Sequence, residues 1–343
     1  MQQGLLCVRE SEFKALTSKK GRGMKRVKLV LFVALAVGLY TAATVSPAAG
    51  ARKSAAPSLA KQITSCMPGV AGDDLFSVYN KLTPAAFGRG FDAREPLSND
   101  AVADLPVSAQ GKAGKNFKAT VPVYFHVITD GSTGNVTNKQ ISDQMSVLNL
   151  TFAGFEGGVN TGFSFTLAGV TRTDNAGWFY GGIGGTNEHS MKQTLHQGGN
   201  DALNLYSTTA GAYLGWAYLP DIVTKPGQAY LDGIVIDWES MPGTSTTYAG
   251  RYDLGETVTH ETGHWLNLEH TFYGGCNAKG DFVADTPPER TPTSGCPAGK
   301  DTCTDPGLDP IHNYMDYSYD SCYTEFTAGQ TQRMRDAWLF YRA

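Results

Sequence analysis

The stretch from His260 to His270, with the sequence HETGHWLNLEH, constrains this chain more than any other part of it. Two histidines four residues apart on a helix point to the same side, because one helical turn takes about 3.6 residues. Both imidazoles can therefore bind one metal ion, with Glu261 placed to act as a base on a nearby water. His270 comes six residues after His264, so the helix has to end and the chain has to turn back between them. Three imidazoles are typical of a catalytic zinc site, which keeps its fourth position open for water.

Two other interpretations of this stretch are open. The chain has seven histidines, and a chance H-E-x-x-H pattern in such a chain is roughly a one-in-a-hundred event. An exposed amphipathic helix with surface histidines would give that pattern, but it would not explain His270 at the longer spacing. A structural zinc site would bind the metal through four protein ligands, often cysteines, and would not need Glu261.

The extended stretch HETGHWLNLEHTF resembles the active-site helix of the metzincin metalloproteases, whose pattern is H-E-x-x-H-x-x-G-x-x-H followed by a methionine turn. Within that group it is similar to the pappalysin-like secreted metalloendopeptidases, which share the residues around the second and third histidines. One position departs, because the family glycine is Asn267 here. This residue must end the helix with a positive φ, and asparagine is the non-glycine residue that most readily adopts one.

The resemblance implies a fold as well as an activity. The expected fold class is α/β (α+β), with a metzincin-like catalytic domain: a twisted mixed sheet, an active-site helix and a C-terminal subdomain stapled by disulfides. The expected function is that of a secreted zinc metalloendopeptidase that hydrolyses peptide bonds of proteins and is made as a latent precursor. His260, His264 and His270 would bind Zn²⁺, and Glu261 would be the general base.

Two further functions are weighed against this one. A zinc-bearing binding module without activity would have no chemical reason to keep Glu261. A thermolysin-like protease would take a downstream glutamate as its third ligand, which would leave His270 unexplained and Met315 without a role.

Residues 313–334 resemble the methionine turn of the family and the start of its last helix. The resemblance implies that Met315 lies beneath the metal as an apolar support for the histidine rings. It also implies that the hydroxyl of Tyr317 reaches the metal or the oxyanion of the transition state. A core methionine and an ordinary surface tyrosine are the alternatives.

Four cysteines follow the third histidine, namely Cys276, Cys296, Cys303 and Cys322. In a secreted chain an even set predicts disulfides, and four cysteines allow three pairings. A structural zinc site is the competing interpretation, but no pair has the C-x-x-C spacing. The resemblance favours the pairs Cys276–Cys303 and Cys296–Cys322.

Residues 280–289, GDFVADTPPE, place Asp281 and Asp285 on a loop among backbone carbonyls. Hard oxygen ligands suit Ca²⁺, and the family resemblance implies calcium in this region. Aspartates that only stabilise turns are the alternative.

The N-terminal residues 1–51 read as a signal peptide. Residues 29–43 form an apolar run, basic residues precede it, and the small residues 49–51 make a plausible cleavage site. Met24 looks like a more natural start than Met1, so the first 23 residues read as a mis-called start. An uncleaved membrane anchor is the alternative, although the run is short for a bilayer span. The expectation is a secreted, extracellular protein without stable membrane association after cleavage.

The charge distribution argues against a nucleic-acid partner. Ten of the 28 Lys and Arg and two of the 32 Asp and Glu lie before Ser54, which leaves 18 basic and 30 acidic residues in the rest. A body this acidic, without a basic stripe or a known motif, is a poor binder of nucleic acid. Protein or peptide substrates are the expected partners.

Residues 52–95 are interpreted as a prosegment and residues 96–117 as a linker that contains the activation site. Cys66 is the only cysteine between the signal cleavage site and the catalytic domain. An unpaired thiolate is a good ligand for the open position of zinc, so Cys66 is the candidate latency ligand. An intermolecular disulfide and an incidental thiol are the alternatives.

Residues 118–343 are interpreted as one catalytic domain, long enough to bury a sizeable core. Four helices are expected: one over 140–155 capped by Thr137, one over 190–197, the active-site helix from Asp253 with Glu256 completing its cap, and a last helix from Thr327. Apolar patterning predicts five strands, at 118–129, 163–173, 202–209, 214–220 and 232–241.

Overall fold

A computed structural model of the chain describes residues 104–211, 213–277 and 279–343. The signal peptide, the prosegment with Cys66 and residues 96–103 of the linker lie outside the described residues, so these interpretations stay predictions. None of the helices in the described part of the chain combines the length and hydropathy that a bilayer span needs.

Strands and helices are mixed along the first part of the described chain, and its last two elements are helices. In chain order they are β1 (Ala119–Thr129), α1 (Asn138–Phe152), β2 (Phe163–Asp174), α2 (Ala176–Phe179), α3 (Thr186–Leu195), β3 (Leu203–Thr208), β4 (Gly215–Ala217), β5 (Ile234–Asp237), α4 (Glu256–Trp265) and α5 (Ala328–Ala337).

The strands form one mixed sheet of the order β2-β1-β3-β5-β4. The pairs β1–β2, β1–β3 and β3–β5 are parallel, whereas β4 runs antiparallel to β5 at the edge. All five predicted strands are present, and the α/β class with a mixed sheet is confirmed. The edge strand β4 has only three residues, and it lies beside the active-site helix.

Helix α1 forms where the sequence predicts it. Thr137 accepts a hydrogen bond from the Gln140 amide and the Gln140 side chain accepts one from the Thr137 amide, so both ends of the capping box are made. The stripe Ile141, Met145, Leu148 and Phe152 is buried. It packs on the same face of the sheet as Val258 and Trp265 of α4, in one apolar core. The opposite face is covered by a second cluster that includes Phe179 and Met191.

The active-site helix starts later than the sequence predicts. It begins at Glu256 after Gly255, which has φ 97° and provides no side-chain cap. The Asp253 carboxylate does not cap the helix, and it accepts a hydrogen bond from the Gly250 amide (3.2 Å). The prediction of a capping pair at Asp253 and Glu256 is therefore wrong. The chain enters the helix through a left-handed turn that favours glycine.

Two other differences concern helix limits. The helix predicted over 190–197 begins earlier, at Thr186, and α2 has no counterpart among the predicted elements. The last helix begins after Thr327, which caps it in a second capping box with Gln330.

The region between His270 and α5 has few regular elements and is held by two disulfides. Cys276 is bonded to Cys303, and Cys296 is bonded to Cys322, each with Cα atoms 5.6 Å apart. These are the two pairs that the family resemblance implies. Each bond links residues about 27 positions apart, which limits the freedom of a segment with little core of its own.

Candidate active site

Helix α4 places three of the candidate residues side by side. His260, Glu261 and His264 lie on it, and all ten residues of the helix are buried. A buried helix keeps its side chains in fixed rotamers, because its neighbours leave them no room to move. This packing restricts the positions that the three side chains can take.

The turn after α4 brings the third histidine back to the first two. Asn267 has φ 79°, as the sequence predicts for the position of the family glycine. The Leu268 amide then donates to the Gly263 carbonyl (3.0 Å), and the chain reverses toward the helix. His270 follows, and it is also buried.

The Nε2 atoms of the three histidines converge. The Nε2 of His264 lies 3.1 Å from that of His260 and 3.2 Å from that of His270. Four ligands around zinc at bond lengths of 2.0 to 2.1 Å would stand roughly 3.3 Å apart. The spacing of the imidazoles therefore fits a tetrahedral metal ion.

Two backbone carbonyls fix the protonation of these rings. Nδ1 of His260 donates to the carbonyl of Tyr314 (2.6 Å), and Nδ1 of His264 donates to the carbonyl of Leu268 (2.7 Å). A carbonyl only accepts, so the proton of each neutral ring is on Nδ1 and the lone pair is on Nε2. Lone pairs that face one another at this distance repel unless a cation lies between them, which is further support for a metal.

Glu261 lies next to the first ligand and faces the edge strand. It is buried, and its Oε1 is so near Gly215 of β4 that a Cβ at Gly215 would be 2.7 Å from it. Glycine at this position leaves space for the carboxylate. The sheet edge, the helix and the candidate base thus meet at one point.

Met315 and Tyr317 are both brought to the histidines. Met315 is fully buried beneath α4, and its Sδ would be 2.4 Å from a Cβ at Gly263, the residue before His264. The Tyr317 ring packs with its centroid 5.0 Å from that of His270 and 5.8 Å from that of His260.

The chemistry of the side chains does not reveal several contributors to the site. The carbonyls of Tyr314 and Leu268 act through the backbone, which every residue has. Phe272 stacks on His270 with the ring centroids 4.7 Å apart and nearly parallel planes. Its apolar side chain offers no ligand atom that a search for chemical groups would find.

A buried polar network supports the segment after His270. Thr271 donates its hydroxyl to Glu289 (2.7 Å), and Lys300 pairs with Glu289 and with Asp309 (3.1 Å). Burial, followed by the nearby charge of Asp316, raises the pKa of Glu289 to about 7. Lys300 opposes that shift but does not cancel it, because the carboxylate is fully buried.

The two candidate calcium ligands, Asp281 and Asp285, have different surroundings. Asp281 is buried, and burial raises its pKa to about 7. Asp285 is exposed and caps α5, accepting from the Thr327 hydroxyl (2.7 Å) and the Gly329 amide (2.8 Å).

Within the described residues, the two groups of at least three close His, Cys, Asp or Glu ligand atoms are the histidine triad and one other. The other contains Cys296, His312 and Cys322. Its two cysteines are bonded to each other, so they have no thiolate to offer a metal.

Comparison with known proteins agrees with this geometry. Residues 241–338 match the family model described as pregnancy-associated plasma protein-A, a peptidase family. An extracellular metalloprotease of Arthroderma benhamiae is 46% identical over 229 residues, which cover 65% of this chain and 74% of that protein. An extracellular metalloprotease of Neurospora crassa is 44% identical over 246 residues, with 70% and 82% covered.

Solved structures give the same result. Mature mirolysin of Tannerella forsythia, in complex with a cleaved peptide, is 31% identical with a TM-score of 0.53 and covers 64% of this chain and 91% of that one. A promirolysin mutant of the same organism is 25% identical with a TM-score of 0.55, covering 82% and 92%. The chain therefore belongs to the pappalysin-like family of extracellular metalloproteases within the metzincins.

Proposed function

We propose that this metalloprotease is a secreted zinc endopeptidase in which His260, His264 and His270 bind the metal. The convergence of their three Nε2 atoms, with the Nδ1 protons of two rings fixed by backbone carbonyls, carries the proposal. Neutral imidazoles with free Nε2 lone pairs are the form that binds zinc. When bound, zinc supplies a Lewis acid that polarises the scissile carbonyl and makes water more acidic.

Glu261 is the proposed general base and then the general acid. Its carboxylate lies beside His260 and faces Gly215, in a site without room for another side chain. It takes the proton of the attacking water and returns it to the leaving amine. Tyr317 is the proposed partner of the oxyanion, because its ring packs against two of the histidines and its hydroxyl is a neutral donor.

Strand β4 is the proposed docking edge for the substrate backbone. It is the terminal strand of the sheet, and Gly215 lies on it next to Glu261. An edge strand presents unpaired amides and carbonyls that an extended peptide can pair with. A peptide bound there would have its backbone beside the candidate base. This placement suits the protein or peptide substrates that the protease family implies.

The test is the substitution Glu261→Ala. The variant should bind about one zinc per chain, like the unchanged protein, because the ligands are intact. Its turnover of casein should fall by a factor of at least about 10² to 10⁴, the usual contribution of a general base. Zinc is measured by mass spectrometry of the purified protein, and turnover by release of peptides.

The matched control is Asp143→Ala, which removes a carboxylate from an exposed ion pair with Lys139. It should leave both zinc content and turnover unchanged. Comparable casein cleavage by Glu261→Ala would show that the assigned mechanism is wrong. If the active protein contained no zinc, the proposal that the histidines bind zinc would be wrong.

Three finer assignments remain proposals. Secretion through residues 1–51, with no stable membrane association, is supported by the extracellular relatives. The absence of a nucleic-acid partner rests on the acidic charge. A latent precursor is supported by the precursor form of mirolysin. The proposal that Cys66 is its metal ligand rests on the sequence alone, because Cys66 lies outside the described residues.

Calcium at Asp281 and Asp285 also remains a proposal. Within the described residues Oδ2 of Asp281 has no hydrogen-bond partner, although the carboxyl group is buried. A cation beside it would favour the ionised carboxylate, against the effect of burial on its pKa.

A further inference from the structure

Arg333 of α5 binds the turn that leads to the third histidine. Its Nε donates to the carbonyl of Asn267 (2.7 Å), and its side chain is only 6% exposed. The guanidinium carbon lies 5.2 Å from the centroid of the Phe282 ring. Arg333 and Asn267 are 66 residues apart in sequence, so this contact exists only in the folded chain.

The turn at Asn267 needs support. With φ 79° it has the left-handed backbone, which a residue with a Cβ adopts only at a cost. The Asn267 amide donates to the His264 carbonyl (2.8 Å), but within the described residues the side-chain Nδ2 has no hydrogen-bond partner. The side chain therefore does not stabilise the turn, and the hydrogen bond from Arg333 does.

Both ends of the turn reach the metal centre. The Leu268 carbonyl, at the next peptide, accepts from Nδ1 of His264 (2.7 Å). His270 follows two residues later. If the peptide between Asn267 and Leu268 rotated, the orientation of His264 and the position of His270 would change together.

Arg333 is itself held in place by the start of the described chain. Its NH1 pairs with Asp104 at 2.5 Å. The segment 104–113 is fastened to α5, since the Asp336 carboxylate accepts from the amides of Gly111 (2.7 Å), Lys112 and Ala113 (both 2.8 Å). The guanidinium therefore has a fixed position and a balanced charge.

We propose that Arg333 is a positioning residue: by binding the carbonyl of Asn267 it holds the left-handed turn that presents His270 to the metal. The proposal rests on the proposed function, in that His270 is taken as a ligand of zinc. It differs from a general stabilising role, because it predicts that the need for Arg333 depends on the residue at position 267.

The first measurement is the zinc affinity of the full chain, by competition with a chromophoric chelator. Arg333→Met should weaken zinc binding by a factor on the order of ten, the usual effect of losing a group that orients a metal ligand. Arg333→Lys, which can still donate one hydrogen bond, should lose less. The Co²⁺-substituted protein should show an altered visible spectrum in Arg333→Met, because that spectrum reports the ligand geometry.

The matched control is Arg335→Met. Arg335 lies on the same helix and also binds backbone carbonyls, those of Thr161 (2.8 Å) and Asn160 (3.0 Å), away from the histidines. The Arg335→Met variant should unfold at a lower urea concentration, with unchanged zinc affinity and an unchanged Co²⁺ spectrum.

The decisive variant combines Arg333→Met with Asn267→Gly. Glycine adopts a positive φ without a steric cost, so this double variant should regain most of the lost zinc affinity. The proposal is overturned if Arg333→Met binds zinc as tightly as the unchanged chain, or if Asn267→Gly restores nothing. Failure of the unchanged chain to bind zinc would instead contradict the proposed function.

Discussion

Gly263→Ala should distort the active-site helix, because the added methyl group would collide with Met315. Gly263 lies between the two ligands of α4, and a Cβ there would stand 2.4 Å from Sδ and 3.3 Å from Cε of Met315. Non-bonded heavy atoms prefer separations of about 3.5 to 4.0 Å. The helix and the methionine would therefore have to separate by roughly 1 Å or more.

The expected magnitude combines two opposing effects. Alanine is the better helix former by about 0.5 to 1 kcal/mol. Forcing an additional methyl group into a packed core costs about 1 to 3 kcal/mol. Because Met315 is fully buried and its neighbours leave it little space, we expect a net loss of about 1 to 2 kcal/mol of unfolding free energy. The displacement should also reach His260 and His264, which lie on α4 on either side of Gly263 in the sequence.

Urea unfolding of the zinc-free protein measures the loss, and chelator competition measures the change at the metal centre. Gly182→Ala is the control, since a Cβ at Gly182 meets nothing within 4 Å. The double variant Gly263→Ala with Met315→Ala should be less destabilised than the sum of the two single variants, because the smaller side chain makes room. A Gly263→Ala variant as stable as the unchanged chain would refute the described packing.

Two further predictions concern a buried histidine and the prosegment. Burial lowers the pKa of His126 to about 4, so the unfolded chain takes up its proton first as the pH falls. The free energy of unfolding should keep its full value above pH 6.5 and fall by roughly 3 kcal/mol toward pH 4. In urea unfolding, the His126→Gln variant should lose less stability over this pH range. An equal loss in the variant would contradict this prediction. The uncleaved precursor with Cys66→Ala should show peptidase activity that the unchanged precursor lacks. If neither precursor cleaves peptides, the prosegment blocks the site in another way.

The sequence by itself determined the parts of this protein that depend on local periodicity. The spacing of His260 and His264 fixes two ligands on one side of a helix, and the stripe of α1 fixes which face is buried. The resemblance to the family placed the positive φ at Asn267, and asparagine is the non-glycine residue that most readily adopts it. These properties depend on residues close to one another along the chain.

The tertiary structure decided what distant segments do to those local elements. The helix starts at Glu256 rather than near Asp253, because the left-handed backbone of Gly255 (φ 97°) cannot be part of a right-handed helix. Only the fold requires glycine there, since a Cβ would meet Gln144 and Pro242. The partner of the His260 ring is the carbonyl of Tyr314, a group that every residue has and that no pattern of side chains reveals. Arg333 likewise donates to a backbone carbonyl, that of Asn267, which lies 66 residues away in the sequence. Hydrogen bonds to the backbone depend on position in space, and only the folded chain provides that position.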